Sequence, residues 1–112
     1  MAAILQADMF NKKTALITGA ASGIGRGLAV HAAGLEMNIV LMDLNEEGLA
    51  KTQALIPDSP SLVLKCDVSN LEEFTLCKEK IDAHFGMVHF LFNNAGIFLE
   101  GRAWKADQKN WK

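Results

Sequence analysis

Half of the 112 residues are apolar, 21% are charged, and the formal net charge is -2, a balance expected of one small globular domain. It leaves no basic footprint for nucleic acid and no polybasic membrane signal, and no apolar run approaches the ~18 residues that span a bilayer. The N-terminal MAAILQADMFNKK has no basic leader, and Ala2–Leu5 is too short for a signal peptide. Cys66 and Cys77 form neither a metal spacing nor a disulfide framework, which fits reduced, buried thiols in a cytoplasmic protein.

In chain order, Thr14–Thr18 (TALIT) is expected as a short buried strand. Ile24 to Ala33 follows as a helix, with Ser22 as N-cap, Gly34 as its stop, and an apolar side of Ile24, Leu28, His31/Ala32 and Leu35. Asn38–Asp43 (NIVLMD) is a second buried strand closed by one acid. Asn45 caps a helix over Glu46–Ile56, whose two leading carboxylates suit the macrodipole; Gly48 inside it costs about 1 kcal/mol relative to alanine. Pro57–Pro60 form a loop and Leu62–Lys65 a third strand. Ser69 opens the next helix, with Phe74, Cys77, Ile81 and Phe85 on one face and Gly86 at its end. Val88–Phe92 is a fourth strand running into NNAG at Asn93–Gly96. Ile97 to Lys112 is polar and weakly patterned, with a helix beginning near Ala106.

Strands alternating with helices through short loops predict an α/β fold, a doubly wound parallel sheet with helices on both faces. Strands covered on both faces should be continuously apolar, as NIVLM and HFLF are. No linker, repeat or low-complexity segment divides residues 1–112, which are expected to form one domain.

The turn after the first strand carries Gly19, Gly23 and Gly25. The start of the following helix presents unpaired N–H groups and partial positive charge, and glycines let a pyrophosphate reach them. Gly19 would permit the turn, Gly23 the close approach, and Gly25 tight packing of helix on strand. Tight packing alone would explain the three glycines equally well. Asp43 tips the balance. At the end of the second strand, a carboxylate can accept hydrogen bonds from a ribose diol and repel a 2′-phosphate, favouring NAD over NADP. A merely solvated strand-end acid is the alternative.

TGAASGIG (Thr18–Gly25) resembles the TGxxxGxG signature of the short-chain dehydrogenase/reductases, and NNAG resembles their second signature. CDVS (Cys66–Ser69) is similar to the segment after their third strand, so the resemblance runs through nearly the whole chain. It implies a Rossmann-type fold, here incomplete at the C-terminal side, and an NAD site. Gly19, Ser22 and Ile24 would border the pyrophosphate and neighbouring ribose, and Asp43 and Leu44 the adenosine ribose. Asp67 would accept from the adenine amino group beside Val68, and Asn94, Ala95 and Gly96 would wall the end of the fourth strand. Asp67 as a helix-entry acid and Asn93 as a strand tie are the structural alternatives.

The family's chemistry uses a tyrosine, a lysine four residues later, a serine, and an asparagine beyond NNAG. This chain has no tyrosine, so no catalytic residue is assigned and the chain alone is expected to be inactive. The resemblance implies the cofactor-binding half of an oxidoreductase that transfers a hydride between nicotinamide and a small-molecule alcohol or ketone. It also implies a homo-oligomer at full length, with no nucleic-acid or membrane partner. A non-catalytic dinucleotide-binding module or pseudoenzyme is the alternative, and a methyltransferase-like domain a poorer one. His31, His84 and His89 show no i, i+4 pairing for a metal, and none is expected to be bound. Trp104 and Trp111 are expected to pack rather than to line a substrate mouth. With the sequence stopping at Lys112, the fourth strand is expected to be an apolar sheet edge and the chain marginally stable.

Overall fold

A computed structural model describes residues 9–94. Its elements, in chain order, are β1 (Thr14–Thr18), α1 (Gly23–Gly34), β2 (Asn38–Asp43), α2 (Glu46–Ala54), β3 (Ser61–Lys65), α3 (Leu71–Phe85) and β4 (Phe90–Asn93). The strands form one parallel sheet in the order β3-β2-β1-β4. Winding therefore runs outward from β1 to β3, then returns past β1 to β4.

That reversal distributes the helices. Ala15, Ile17, Ile39 and Leu41 face α1 and α2 in one core, with Ala29, Ala32 and Leu49. Leu16, Val40, Met42 and Leu64 face α3 in the other, with Phe74, Cys77 and Ile81. Alternate residues of the same strands supply the two cores because side chains on a strand point to opposite faces. The doubly wound α/β sheet is thus present, with β1 buried along its whole length.

Local chemistry explains the element ends. Asn45 caps α2 by accepting from the Gly48 N–H at 3.0 Å, and Gly86 ends α3 at φ 86°. Four expectations are corrected. Ile24 is 72% exposed, and the buried residues of α1 are Gly25, Ala29 and Ala32, with Leu28 and Leu35 partly buried against the same core, because Gly25 is the residue of the first turn that faces Gly19. Gly34 is the last helical residue rather than the stop; the left-handed turn falls on Glu36 at φ 59°. Asn70, not Ser69, caps α3, accepting from Glu73 N–H at 3.1 Å, because Asp67 engages Ser69. The fourth strand starts at Phe90 rather than Val88. His89 meets the edge of β1 with its ring as well as its backbone: its N–H donates to Thr14 O, and its Nδ1 accepts from Thr14 N–H, both at 2.9 Å. Smaller shifts are the start of β3 at Ser61 and the end of α2 at Ala54. Among the described residues β4 is an edge, as expected, and Phe10 packs on Phe90 with ring centroids 5.1 Å apart. The expected helix near Ala106, and Trp104 and Trp111, lie outside the described residues.

Two glycines of α1 differ sharply in what surrounds them. A Cβ on Gly25 would lie 2.0 Å from Gly19 O, whereas one on Gly27 would meet nothing within 4 Å. Gly25→Ala should therefore cost about 3 kcal/mol through backbone displacement, while Gly27→Ala should add about 1 kcal/mol from helix propensity. Urea midpoints of the two variants, moving in opposite directions, check both.

Candidate cofactor site

The sheet's winding reverses between β1 and β4, which is where open α/β sheets leave a crevice at the carboxyl ends of their strands. A cleft of about 420 Å³ lies there, lined by Gly19, Ser22, Gly23, Ile24, Asp43, Leu44, Cys66, Asp67, Val68 and Asn94. Nine of these were singled out in the sequence. Gly25 is not among them; it lies behind the turn, packed on Gly19 rather than on the strand. Ala95 and Gly96 lie outside the described residues.

The glycine turn is shaped by backbone geometry. Gly19 and Gly23 sit at φ 65° and 57°, a region that costs an L side chain energy and glycine little. In front of Gly23 a Cβ would meet nothing within 4 Å, so the turn opens onto free space. Ser22 occupies the N-cap position of α1 but makes no side-chain cap bond. The first N–H groups of a helix have no partner within it, and here the Ser22 hydroxyl does not take one up.

Behind the cleft, Ala20 and Ala21 are fastened at all four of their backbone polar groups. Ala20 N–H donates to Met42 O at 3.2 Å, and Ala20 O accepts from the buried Thr52 hydroxyl at 2.7 Å. Ala21 N–H donates to Asp43 Oδ2 at 3.0 Å, and Ala21 O accepts from the Arg26 guanidinium. Arg26 also donates to Thr52 Oγ1 at 2.9 Å and Gly48 O at 3.2 Å. Gly48 is required in α2, since a Cβ there would lie 2.7 Å from Ala21 Cβ. Arg26 and Thr52 were not picked out from the sequence. The bond between them spans 26 residues and that of Thr52 to Ala20 O spans 32, and no local pattern announces either.

Both acids at the cleft have structural duties. Asp43 Oδ1 also accepts from Asn45 N–H at 3.1 Å. Asp67 Oδ1 accepts from the Ser69 hydroxyl at 2.6 Å and the Ser69 N–H at 2.9 Å. Those bonds favour the carboxylate and hold the Asp67 carboxyl below its usual value of 3.8, against a smaller opposing effect of burial. The turn at 67–69 is therefore fully supported above that pH, and the support is lost as acid protonates Asp67. Across the cleft, Thr18 Oγ1 donates to Asn93 Oδ1 at 3.0 Å and accepts from Asn94 N–H at 2.9 Å. Asn93 is thus the strand tie its alternative reading described, and Asn94 faces the cleft.

A switch-point cleft with a glycine turn, an open helix N-terminus and an acid ending the next strand defines the dinucleotide-type class of α/β folds. The short chain dehydrogenase family model matches residues 13–112, and the chain belongs to that family. It is 35% identical over 105 residues to a CLA biosynthesis dehydrogenase/reductase of Lactiplantibacillus plantarum, with 92% of this chain and 37% of that protein covered. It is 34% identical over 106 residues to the bovine (Bos taurus) 15-hydroxyprostaglandin dehydrogenase [NAD(+)], covering 91% of this chain and 37% of the relative. A crystal structure of a short-chain dehydrogenase/reductase from Burkholderia phymatum in complex with NAD superposes with a TM-score of 0.75 at 40% identity. The match covers 79% of this chain and 32% of that one. The chain therefore spans little more than a third of the length of these curated relatives. Among the described residues no helix is long and apolar enough to cross a membrane.

Cys66 borders the cleft yet is chemically shielded. Burial, then the neighbouring Cys77 and a hydrogen bond with its side chain, push the Cys66 thiol up from 9.0 to about 12. The native state thus retains a proton that the unfolded chain releases above pH 9. Stability from the neutral thiol should be complete below pH 9 and lost as pH rises toward about 12. Denaturant unfolding should show that alkaline loss in the parent chain and a smaller one in Cys66→Ala, and thiol reagents should leave folded Cys66 unmodified at pH 8.

Proposed function

We propose that this chain is the cofactor-holding part of an NAD-dependent oxidoreductase that moves a hydride between nicotinamide and an alcohol or ketone. The observation that carries the reading is the order of groups at the carboxyl ends of adjacent strands, all lining one cleft: the open helix N-terminus at Ser22–Ile24 after β1, Asp43 ending β2, and Asp67 just after β3. A dinucleotide presents pyrophosphate, ribose diol and adenine in a matching order. The helix N-terminus would receive the pyrophosphate. Asp43 would accept from the ribose hydroxyls, with Leu44 against the ribose. Asp67 would accept from the adenine amino group, with Val68 beside the ring, and Asn94 would bound the far wall. The NAD complex of the Burkholderia phymatum relative supports the choice of cofactor.

NAD supplies the hydride chemistry itself; the residues described here bind it and orient it. Proton exchange with substrate is assigned by family resemblance to a tyrosine, and the 112 residues contain none. The chain should therefore bind cofactor without turning over alcohols or ketones, and turnover that survives rigorous purification would overturn this part of the proposal.

Among the described residues two carboxylates and no cation line the cleft, which sets the expected preference between cofactors. A 2′-phosphate beside Asp43 would bring like charges together. NAD should bind at least tenfold more tightly than NADP, and Asp43→Ala should narrow that ratio. Calorimetric titration of both dinucleotides decides it; tighter NADP binding by the parent chain would refute the assignment.

A further inference from the structure

Arg26 stands outside the cleft lining, yet it is bound to the turn that shapes it. Its guanidinium donates to Ala21 O, to Gly48 O at 3.2 Å and to Thr52 Oγ1 at 2.9 Å. All three acceptors are uncharged, and among the described residues no carboxylate forms an ion pair with it. A half-buried arginine in that state carries a desolvation cost that a surface arginine avoids. Its planar fork suits several fixed acceptors at once, which a lysine cannot reproduce.

We infer that Arg26, acting with Thr52 through the carbonyls of Ala20 and Ala21, is a positioning residue that pre-forms the phosphate-receiving face of the turn. The inference rests on the dinucleotide reading above and adds to it a group that touches no ligand. With Thr52 and Arg26 holding the two carbonyls, and Met42 O and Asp43 holding the two N–H groups, the 20–21 peptides cannot rotate toward the cleft. A carbonyl turned into the cleft would oppose a phosphate. Donors at Ser22–Ile24 are left facing it instead. The guanidinium charge behind the turn, which forms no ion pair among the described residues, adds to the positive end of α1. Arg26 therefore favours phosphate-bearing ligands over the bare nucleoside.

The test compares ADP with adenosine on the full chain. Arg26→Gln should lower the ADP/adenosine affinity ratio about tenfold while adenosine binding stays within about twofold. Thr52→Val should lower the ratio in the same direction. Arg26→Lys should recover less than half of the loss on a logarithmic scale, because charge without the fork does not hold both Ala21 O and Gly48 O. An unchanged ratio in folded Arg26→Gln, or complete recovery in Arg26→Lys, would overturn the inference. Hydrogen exchange on the parent chain makes the test independent of variant folding: the Ala20 and Ala21 amides should be protected without nucleotide. Exchange that slows only after ADP is added would overturn it as well. Failure of the parent chain to bind ADP or NAD would instead overturn the dinucleotide reading, whatever the amides show.

Discussion

The seating of Gly25 on the carbonyl of Gly19 is the contact on which the site depends. A single added carbon at position 25 would stand 2.0 Å from that oxygen, so the helix approaches the strand end only because one residue has no side chain. This approach aims the N-terminus of α1 at the cleft. Ala29 and Ala32 continue the buried side of α1 beyond Gly25, with Leu28 and Leu35 partly buried beside them. Gly48 repeats the device in α2, where the absent Cβ makes room for Ala21. Two helices thus reach one turn from different directions, and both contacts need glycine.

Much of this arrangement was legible in the sequence because it is encoded locally. Apolar runs marked the strands, Asn45 and Gly86 marked helix ends, and Gly19, Gly23 and Asp43 marked the cleft. Ile24 was misread as core for a physical reason. Periodicity ranks residues by apolarity, but the first turn of α1 is seated through Gly25, which leaves Ile24 facing outward at the cleft. Ser69 was misread as a cap because a neighbouring side chain, Asp67, engages it first. Arg26, Thr52 and His89 were silent because their partners come from other elements. His89 lies 75 residues from Thr14, and only the return of the chain from β3 to β4 brings them together.

The hydrogen bonds of Thr18 show how sheet and site share one scaffold. Its hydroxyl receives the Asn94 N–H and gives its proton to Asn93 Oδ1. The last residue of β1 therefore fixes the direction in which the chain leaves β4. Because β1 is buried throughout and paired on both sides, its end is the best-anchored point from which to set both walls of the cleft.

Asp43 ties the glycine turn, the end of β2 and the cleft together. Each of its oxygens already accepts one N–H, Oδ1 from Asn45 and Oδ2 from Ala21. A carboxylate oxygen has two acceptor directions, so one remains on each. Two parallel acceptors, held in place by the two N–H donors, match the spacing of a vicinal diol better than a freely rotating carboxylate would. The bonds that give Asp43 a structural role are thus the ones that fit it for the ribose proposed above. The two readings of this residue, structural tie and ligand acceptor, are complementary: by anchoring the glycine turn, the carboxylate is itself held in one orientation toward the cleft.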